Sequence, residues 1–286
     1  MVKIIECPRD AMQGFDQHIP TKEKIAYLNA LLQVGFDTLD FGSFVSPKAV
    51  PQLADTAEVL ANLDLSDTDT KLLAIVANMR GADDACKHEA IRYLGYPFSI
   101  SETFQIRNTR KTIAESVDLV RDMQARCVEH DKELVVYISM GFGNPYGDPW
   151  SPALAAEWVE KMVGMGIKII SLADTVGTAD AATIGPIFQE LIPRFPDVEF
   201  GGHFHATPEQ RKAKLQAAWD GGCRRFDSAM LGFGGCPFAE DHLVGNIATE
   251  TLTEFLYEIG APPNLDQDAY YHAMTIASQV FKEDTF

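Results

Sequence analysis

Two histidines stand two residues apart, His203 and His205, at the end of the apolar run 198–203. Residues two apart on a strand point to the same face. The pair can therefore offer two imidazoles to one ion. No cysteine pair lies nearby to complete a tetrahedral structural zinc site. A carboxylate such as Asp10, in the Arg9-Asp10 pair after the first apolar run, would complete a set that leaves coordination positions open. Such a set suits a divalent cation that also binds substrate oxygens. Magnesium, manganese, zinc and ferrous iron all stay open on this reading.

A second feature is Gly232-Phe233-Gly234-Gly235-Cys236-Pro237-Phe238-Ala239. Its glycines give a backbone that can move and approach a ligand closely. It also presents a thiol, a group that exchanges protons and whose pKa falls beside cations. Cys7, Cys86, Cys127 and Cys223 fall in apolar or helical stretches and read as packing residues. Asp40 and Ser43, Ser101, Glu102 and Asn108, Tyr137 and Ser139, and Asp174-Thr175 fall on or after apolar runs, and Asn246 starts the last long helix. Each alone reads as structural; together they would ring one mouth.

Eight short, β-branched apolar runs position these residues: 2–6, 37–41, 72–77, 96–100, 134–140, 168–173, 198–203 and 224–229. They are apolar almost throughout, as expected of parallel strands covered on both faces. Helical periodicity fills the intervals, with start signals at Pro20-Thr21-Lys22-Glu23, Ser151-Pro152 and Thr207-Pro208-Glu209. One long helix is expected over 109–129. Gly35, Gly166 and Gly221-Gly222 read as helix stops. The repeated strand–loop–helix unit predicts an α/β fold, a (β/α)8 TIM barrel, in which function sits at the C-terminal strand ends. A doubly wound sheet is the runner-up, but the first strand runs into Cys7-Pro8-Arg9-Asp10 and lacks the Gly-rich phosphate turn. The whole of 1–286 reads as one catalytic domain. A C-terminal helical extension at about 262–286 would cap the barrel or face a second copy.

Composition agrees. The chain has 286 residues, 46% hydrophobic and 23% charged, with a net charge of -17. That charge excludes a basic nucleic-acid footprint and reads as a solubilising surface. No apolar run is long enough to span a membrane, and the first residues have no signal-peptide shape. Five widely spaced cysteines without a CxxC point to a reducing, cytoplasmic setting.

Taken together, the motifs resemble the 3-hydroxy-3-methylglutaryl-CoA lyase family, within the metal-dependent lyase and synthase barrels. The resemblance spans roughly residues 2 to 260. It rests on 5–13 (IECPRDAMQ), 43–51 (SFVSPKAVP), 101–108 (SETFQIRN), 171–177 (SLADTVG), His203–His205, 232–239 (GFGGCPFA) and 245–250 (GNIATE). It implies Asp10, His203, His205 and Asn246 as ligands of a divalent ion, magnesium or manganese. It implies Arg9 beside the enolate charge, Cys236 in proton transfer, and Asp174 and Asp40 as further active-site carboxylates. His203 is the candidate base. Gln13, Ser43, Lys48, Arg107, Asn108, Gly234 and Gly235 are the expected contacts to an acyl-CoA thioester, with Arg110 and Lys111 nearby. Lys48, Arg107, Arg110 and Lys111 read equally well as solvated surface charge.

The activity so implied is carbon–carbon cleavage of a 3-hydroxyacyl-CoA, in first place 3-hydroxy-3-methylglutaryl-CoA to acetoacetate and acetyl-CoA, by a homodimer. Three departures bear on the acyl group: Asp40 replaces a glutamate, Ala206 an aspartate, and one residue is added between Cys236 and Asn246. A related hydroxyacyl-CoA lyase or aldolase, and a Claisen-type synthase acting on a 2-keto acid, stay as alternatives. A non-catalytic metal-binding barrel is the remote one.

Overall fold

The eight apolar runs form the strands of a closed parallel barrel paired in chain order, with β8 returning to β1. In this computed structural model, residues 2–235 and 244–282 are described. The strands are β1 (Lys3–Glu6), β2 (Thr38–Ser43), β3 (Lys71–Ile75), β4 (Ile91–Ser99), β5 (Glu133–Ser139), β6 (Ile169–Asp174), β7 (Glu199–Phe204) and β8 (Arg225–Ser228). Every residue of β2, β6 and β8 is buried. Helices cover the outer faces and a second apolar cluster lies inside the barrel, so the strands are largely covered on both faces. The TIM barrel expectation holds.

The helices are α1 (Pro8–Gln13), α2 (Thr21–Leu32), α3 (Thr56–Leu60), α4 (Met79–Cys86), α5 (Glu102–Thr109), α6 (Ile113–Glu129), α7 (Pro152–Gly164), α8 (Ala181–Arg194), α9 (Pro208–Asp220), α10 (Thr249–Glu258) and α11 (Gln267–Val280). Side chains of Asn78, Ser101, Thr112, Ser151, Asp180 and Asp266 accept backbone N–H groups at the starts of α4, α5, α6, α7, α8 and α11. Each satisfies a donor that the first helical turn would leave bare.

The single helix expected over 109–129 is two helices. Arg110 adopts a left-handed backbone, φ 59°, and ends α5. Two residues later Thr112 and Glu115 form a reciprocal capping box that starts α6. The break turns Arg110 and Lys111 toward the mouth of the barrel.

The C-terminal extension is α11, packed against α2. Phe281 at its end stacks on Phe233, with centroids 4.9 Å apart, and meets the edges of Phe15 and Tyr27. The extension therefore braces the loop that follows β8.

Candidate active site

At the C-terminal end of the strands lies a cavity of about 630 Å³ whose wall includes Arg9, Asp10, His203 and His205. Arg9 and Asp10 do not extend β1. They sit on α1, a short helix with Pro8 in its first turn, which swings both side chains back over the barrel. The Arg9 guanidinium is buried. Its Nε donates to both Asp40 oxygens at 3.2 and 3.0 Å, and its Nη2 to Asp40 Oδ2 at 2.5 Å. Nη1 donates to Asp10 Oδ1 at 2.8 Å and to Gln13 Oε1 at 3.4 Å. Guanidinium carries five N–H donors. These contacts leave one on Nη2 for a substrate oxygen.

Charge sets the protonation states. Burial alone would raise the Asp10 carboxyl, but Arg9, then the two imidazoles and Asn246, outweigh it and hold Asp10 far below the usual carboxylate range. Burial pushes Asp40 up to about 6, against the pull of Arg9. The two histidines diverge. Burial and then the His203 charge bring His205 down to about 4, which keeps it a neutral imidazole. Burial also acts to lower His203, but a hydrogen bond and charge from Asp227 raise it above the ordinary value.

His203 and His205 turn the same way, as the two-residue spacing requires, and their Nε2 atoms lie 3.3 Å apart. One ligand atom from each of Asp10, His203 and His205 lies within 4.8 Å of the others. Two imidazoles and an ionised carboxylate are donors suited to a divalent cation with open positions. Asp10 and His205 are already in the deprotonated form that a ligand needs, so these residues fit a metal ion. A second group, Cys7, His203 and Asp227, also falls within that distance. It fits poorly: burial pushes the Cys7 thiol well up, so it stays protonated, and its S–H donates to Ile5 O.

Asn246 reaches the cluster because the chain returns to the barrel mouth beside β7. It forms an isolated bridge with His205, and its Nδ2 donates to Asp10 Oδ2 at 2.7 Å and Phe233 O at 2.9 Å. Gly234 takes φ +116°, and a Cβ there would stand 2.9 Å from Asp10 Oδ2 and crowd Asn246. The glycine is thus required by close approach to Asp10 and Asn246. Gly235 also has a positive φ, 131°. Cys236, the candidate for proton transfer, lies outside the described residues.

The family model for HMGL-like proteins matches residues 2–276. The chain belongs to the HMGL-like family. Among curated relatives of this HMGL-like chain, a mitochondrial hydroxymethylglutaryl-CoA lyase of Arabidopsis thaliana is 32% identical over 93% of the chain, which spans 56% of that protein's length. A 3-hydroxy-3-isohexenylglutaryl-CoA/hydroxymethylglutaryl-CoA lyase of Pseudomonas aeruginosa is 31% identical over 97% of the chain and 91% of the relative. Among solved structures, an HMG-CoA lyase from Acinetobacter baumannii in complex with coenzyme A and 3-methylmalate superposes with a TM-score of 0.91 at 31% identity. It covers 100% of this chain and 92% of that one.

Gln13, Lys48 and Asn108 line the cavity, joined by Arg110 and Lys111. Three expected site residues, Ser43 and Arg107 as contacts and Asp174 as a carboxylate, are engaged elsewhere. At the end of β2, Ser43 Oγ donates to Ile75 O of β3 and accepts from Val45 N. Arg107 stacks over the Tyr146 ring at 4.6 Å, tying α5 to the loop after β5. Asp174 does not line the cavity: it pairs with buried Lys214 at 2.5 Å and accepts the Ala179 N–H. The Lys214 ammonium also donates to His205 O and Gly177 O at 2.9 Å. Asp174 therefore holds the backbone behind His205 instead of facing substrate. Asp40 likewise acts through Arg9.

The sequence reading missed Asp227, which hydrogen-bonds His203 Nδ1 at 3.0 Å. The signal was the Arg225-Phe226-Asp227 alternation in β8, which puts two charges on the inward face.

Proposed function

We propose that this chain is a divalent-metal-dependent lyase that cleaves 3-hydroxy-3-methylglutaryl-CoA to acetoacetate and acetyl-CoA. One observation carries the reading: Asp10, His203 and His205 converge beside the buried Arg9 cation in one cavity. The printed activities of the relatives support it.

Asp10 and His205, with Asn246 alongside and His203 at the edge, would hold the ion, magnesium or manganese. When bound, such an ion lowers the pKa of a coordinated hydroxyl and polarises oxygens. His203 has one nitrogen free of Asp227, and a single lone pair does not hold an ion and take a proton at the same moment. The opposed shifts of the two histidines divide the work. His205, kept neutral, suits ligation. His203, whose charged form is favoured, suits uptake of the substrate hydroxyl proton at Nε2. Collapse of that oxygen to a ketone breaks the carbon–carbon bond and leaves the electron pair on the thioester enolate. The spare Nη2–H of Arg9 meets the enolate oxygen in a fixed position. Protonation of the enolate carbon then gives acetyl-CoA, and Cys236 is the proposed donor. Lys48, Arg110 and Lys111 supply positive charge for the phosphates of coenzyme A. Arg107 is better placed to hold the loop after β5.

A cytoplasmic setting is supported by the four described cysteines, which form no disulfide. A homodimer is proposed from the exposed Tyr257 and Tyr271 on α10 and α11. No described helix is long and apolar enough to cross a membrane.

The test is a mass-spectrometric screen of 3-hydroxyacyl-CoA thioesters with magnesium or manganese. Acetoacetate and acetyl-CoA from 3-hydroxy-3-methylglutaryl-CoA support the reading. Cleavage of a different thioester alone moves the substrate but keeps the lyase. Condensation of acetyl-CoA with a 2-keto acid, or no reaction, overturns it.

A further inference from the structure

Beneath the Asp10–His203–His205 cluster, polar side chains stand among the apolar ones of the barrel interior. In β7, Gly201 pairs in register with Arg225 of β8 and Ser171 of β6, and Ser171 pairs with Tyr137 of β5. These residues share one level of the barrel. A Cβ at Gly201 would come 3.0 Å from Arg225 Cδ and 3.2 Å from Ser171 Oγ. The missing side chain lets Arg225 cross the interior. Its Nη1 donates to Glu199 at 2.9 Å near the foot of the barrel. Its Nε and Nη2, with Tyr137 Oη, Ser171 Oγ and Asp227 Oδ1, are buried and have no protein partner among the described residues.

The other Asp227 oxygen, Oδ2, lies 3.0 Å from His203 Nδ1. A carboxylate oxygen only accepts, so Nδ1 carries the hydrogen and Nε2 keeps its lone pair. That lone pair points to His205 Nε2, 3.3 Å away, and to the Asp10 side. Tyr137 meets the His203 ring edge-on at 5.8 Å, which limits its rotation.

We propose that Asp227 is a positioning residue. It locks His203 in the Nδ1–H tautomer with Nε2 aimed at the cluster, and Arg225, Ser171 and Tyr137 hold its second oxygen through buried water. Leaving a buried polar group unpaired costs the full desolvation of that group. Five such atoms around one interior are what a bound water with several polar partners resolves. A carboxylate behind a metal-site histidine fixes ring and tautomer, and its loss weakens such sites. The inference rests on the proposed metal-dependent reading for its consequence, but not for its test.

The test is ¹⁵N NMR of the histidine side chains in metal-free protein at alkaline pH. Wild type is expected to show His203 as the Nδ1–H tautomer. Asp227→Asn, whose amide can donate to Nδ1, is expected to move the hydrogen to Nε2. The same variant should lose about 10- to 100-fold in kcat with little change in KM. An Nε2–H tautomer in wild type, or an unchanged tautomer in Asp227→Asn, overturns the proposal. If the variant does not fold, the wild-type spectrum decides alone. A crystal structure with water between Arg225 and Asp227 Oδ1 supports the second half, and a dry gap overturns it. If wild type cleaves no thioester, the activity reading fails while the tautomer result stands by itself.

Discussion

Arg9 spends most of its N–H groups on protein, and that is what fixes its position. Asp40 holds one edge of the guanidinium, and Asp10 and Gln13 take the other. The family resemblance placed Asp40 in the site as a shorter stand-in for glutamate; the structure makes it the anchor of Arg9. A lysine has a single ammonium and cannot reproduce this fork. We expect Arg9→Lys to cut kcat about 100-fold, the scale of losing one fixed donor to a developing oxyanion, with metal binding retained. Steady-state kinetics beside a calorimetric manganese titration would check this. The ligand and proton-donor roles should separate as well. His205→Ala is expected to lose bound metal, and full occupancy by elemental analysis would refute its role. Cys236→Ala is expected to keep the metal and lose turnover by orders of magnitude; unchanged turnover would remove that thiol from the reaction. The histidine pair was legible in the sequence because strand period and chemistry coincided. The resemblance gave Asp174 as an active-site carboxylate; its tie to Lys214 was not legible, because Lys214 lies on α9 and only folding brings them together.

The elements hold these residues through a few buried polar ties. Glu6, at the end of β1, accepts from Met230 N at 2.8 Å and from Thr249 Oγ1 at 2.5 Å, joining β1 to both sides of the loop after β8. Burial pushes its carboxyl up to about 8, partly relieved by those two hydrogen bonds. The folded state therefore keeps a proton that the unfolded chain releases near its ordinary value of 4.5. The stabilising effect of that proton is complete below the unfolded pKa. It is lost as pH rises toward the folded one. Glu6→Gln cannot ionise, so its melting temperature relative to wild type should climb between those two values. A difference that stays flat across the window in thermal melts would contradict the assignment. The strands, and the helices α2, α6, α7, α9 and α11, were legible from apolar runs and helix-start signals. The break at Arg110 was not, because arginine has no preference for left-handed backbone. Yet the Thr112 and Glu115 pair that starts the next helix stood in the sequence.

Across the whole molecule, a net charge of -17 surrounds a mouth carrying Arg9, Lys48, Arg110 and Lys111. An anionic thioester must be drawn to this local patch against the overall field, and exposed charges act only over a Debye length, about 8 Å in physiological salt. Lys111→Glu should raise KM for a coenzyme A thioester several-fold, more at low ionic strength, with kcat little changed; an unaltered KM would assign the phosphates elsewhere. The barrel and its functional end could be read from the order of runs and motifs. Which cations line the mouth could not, because the turn at Arg110 decides it. Our central proposal is a divalent ion, held by Asp10 and His205 with His203 at the edge, that thioester cleavage needs. Its most direct test is turnover of 3-hydroxy-3-methylglutaryl-CoA by purified protein before chelation, after it, and after manganese is restored. The expected result is acetoacetate and acetyl-CoA that disappear with the metal and return with it. Undiminished cleavage by the chelated protein, or none with manganese present, would contradict the account.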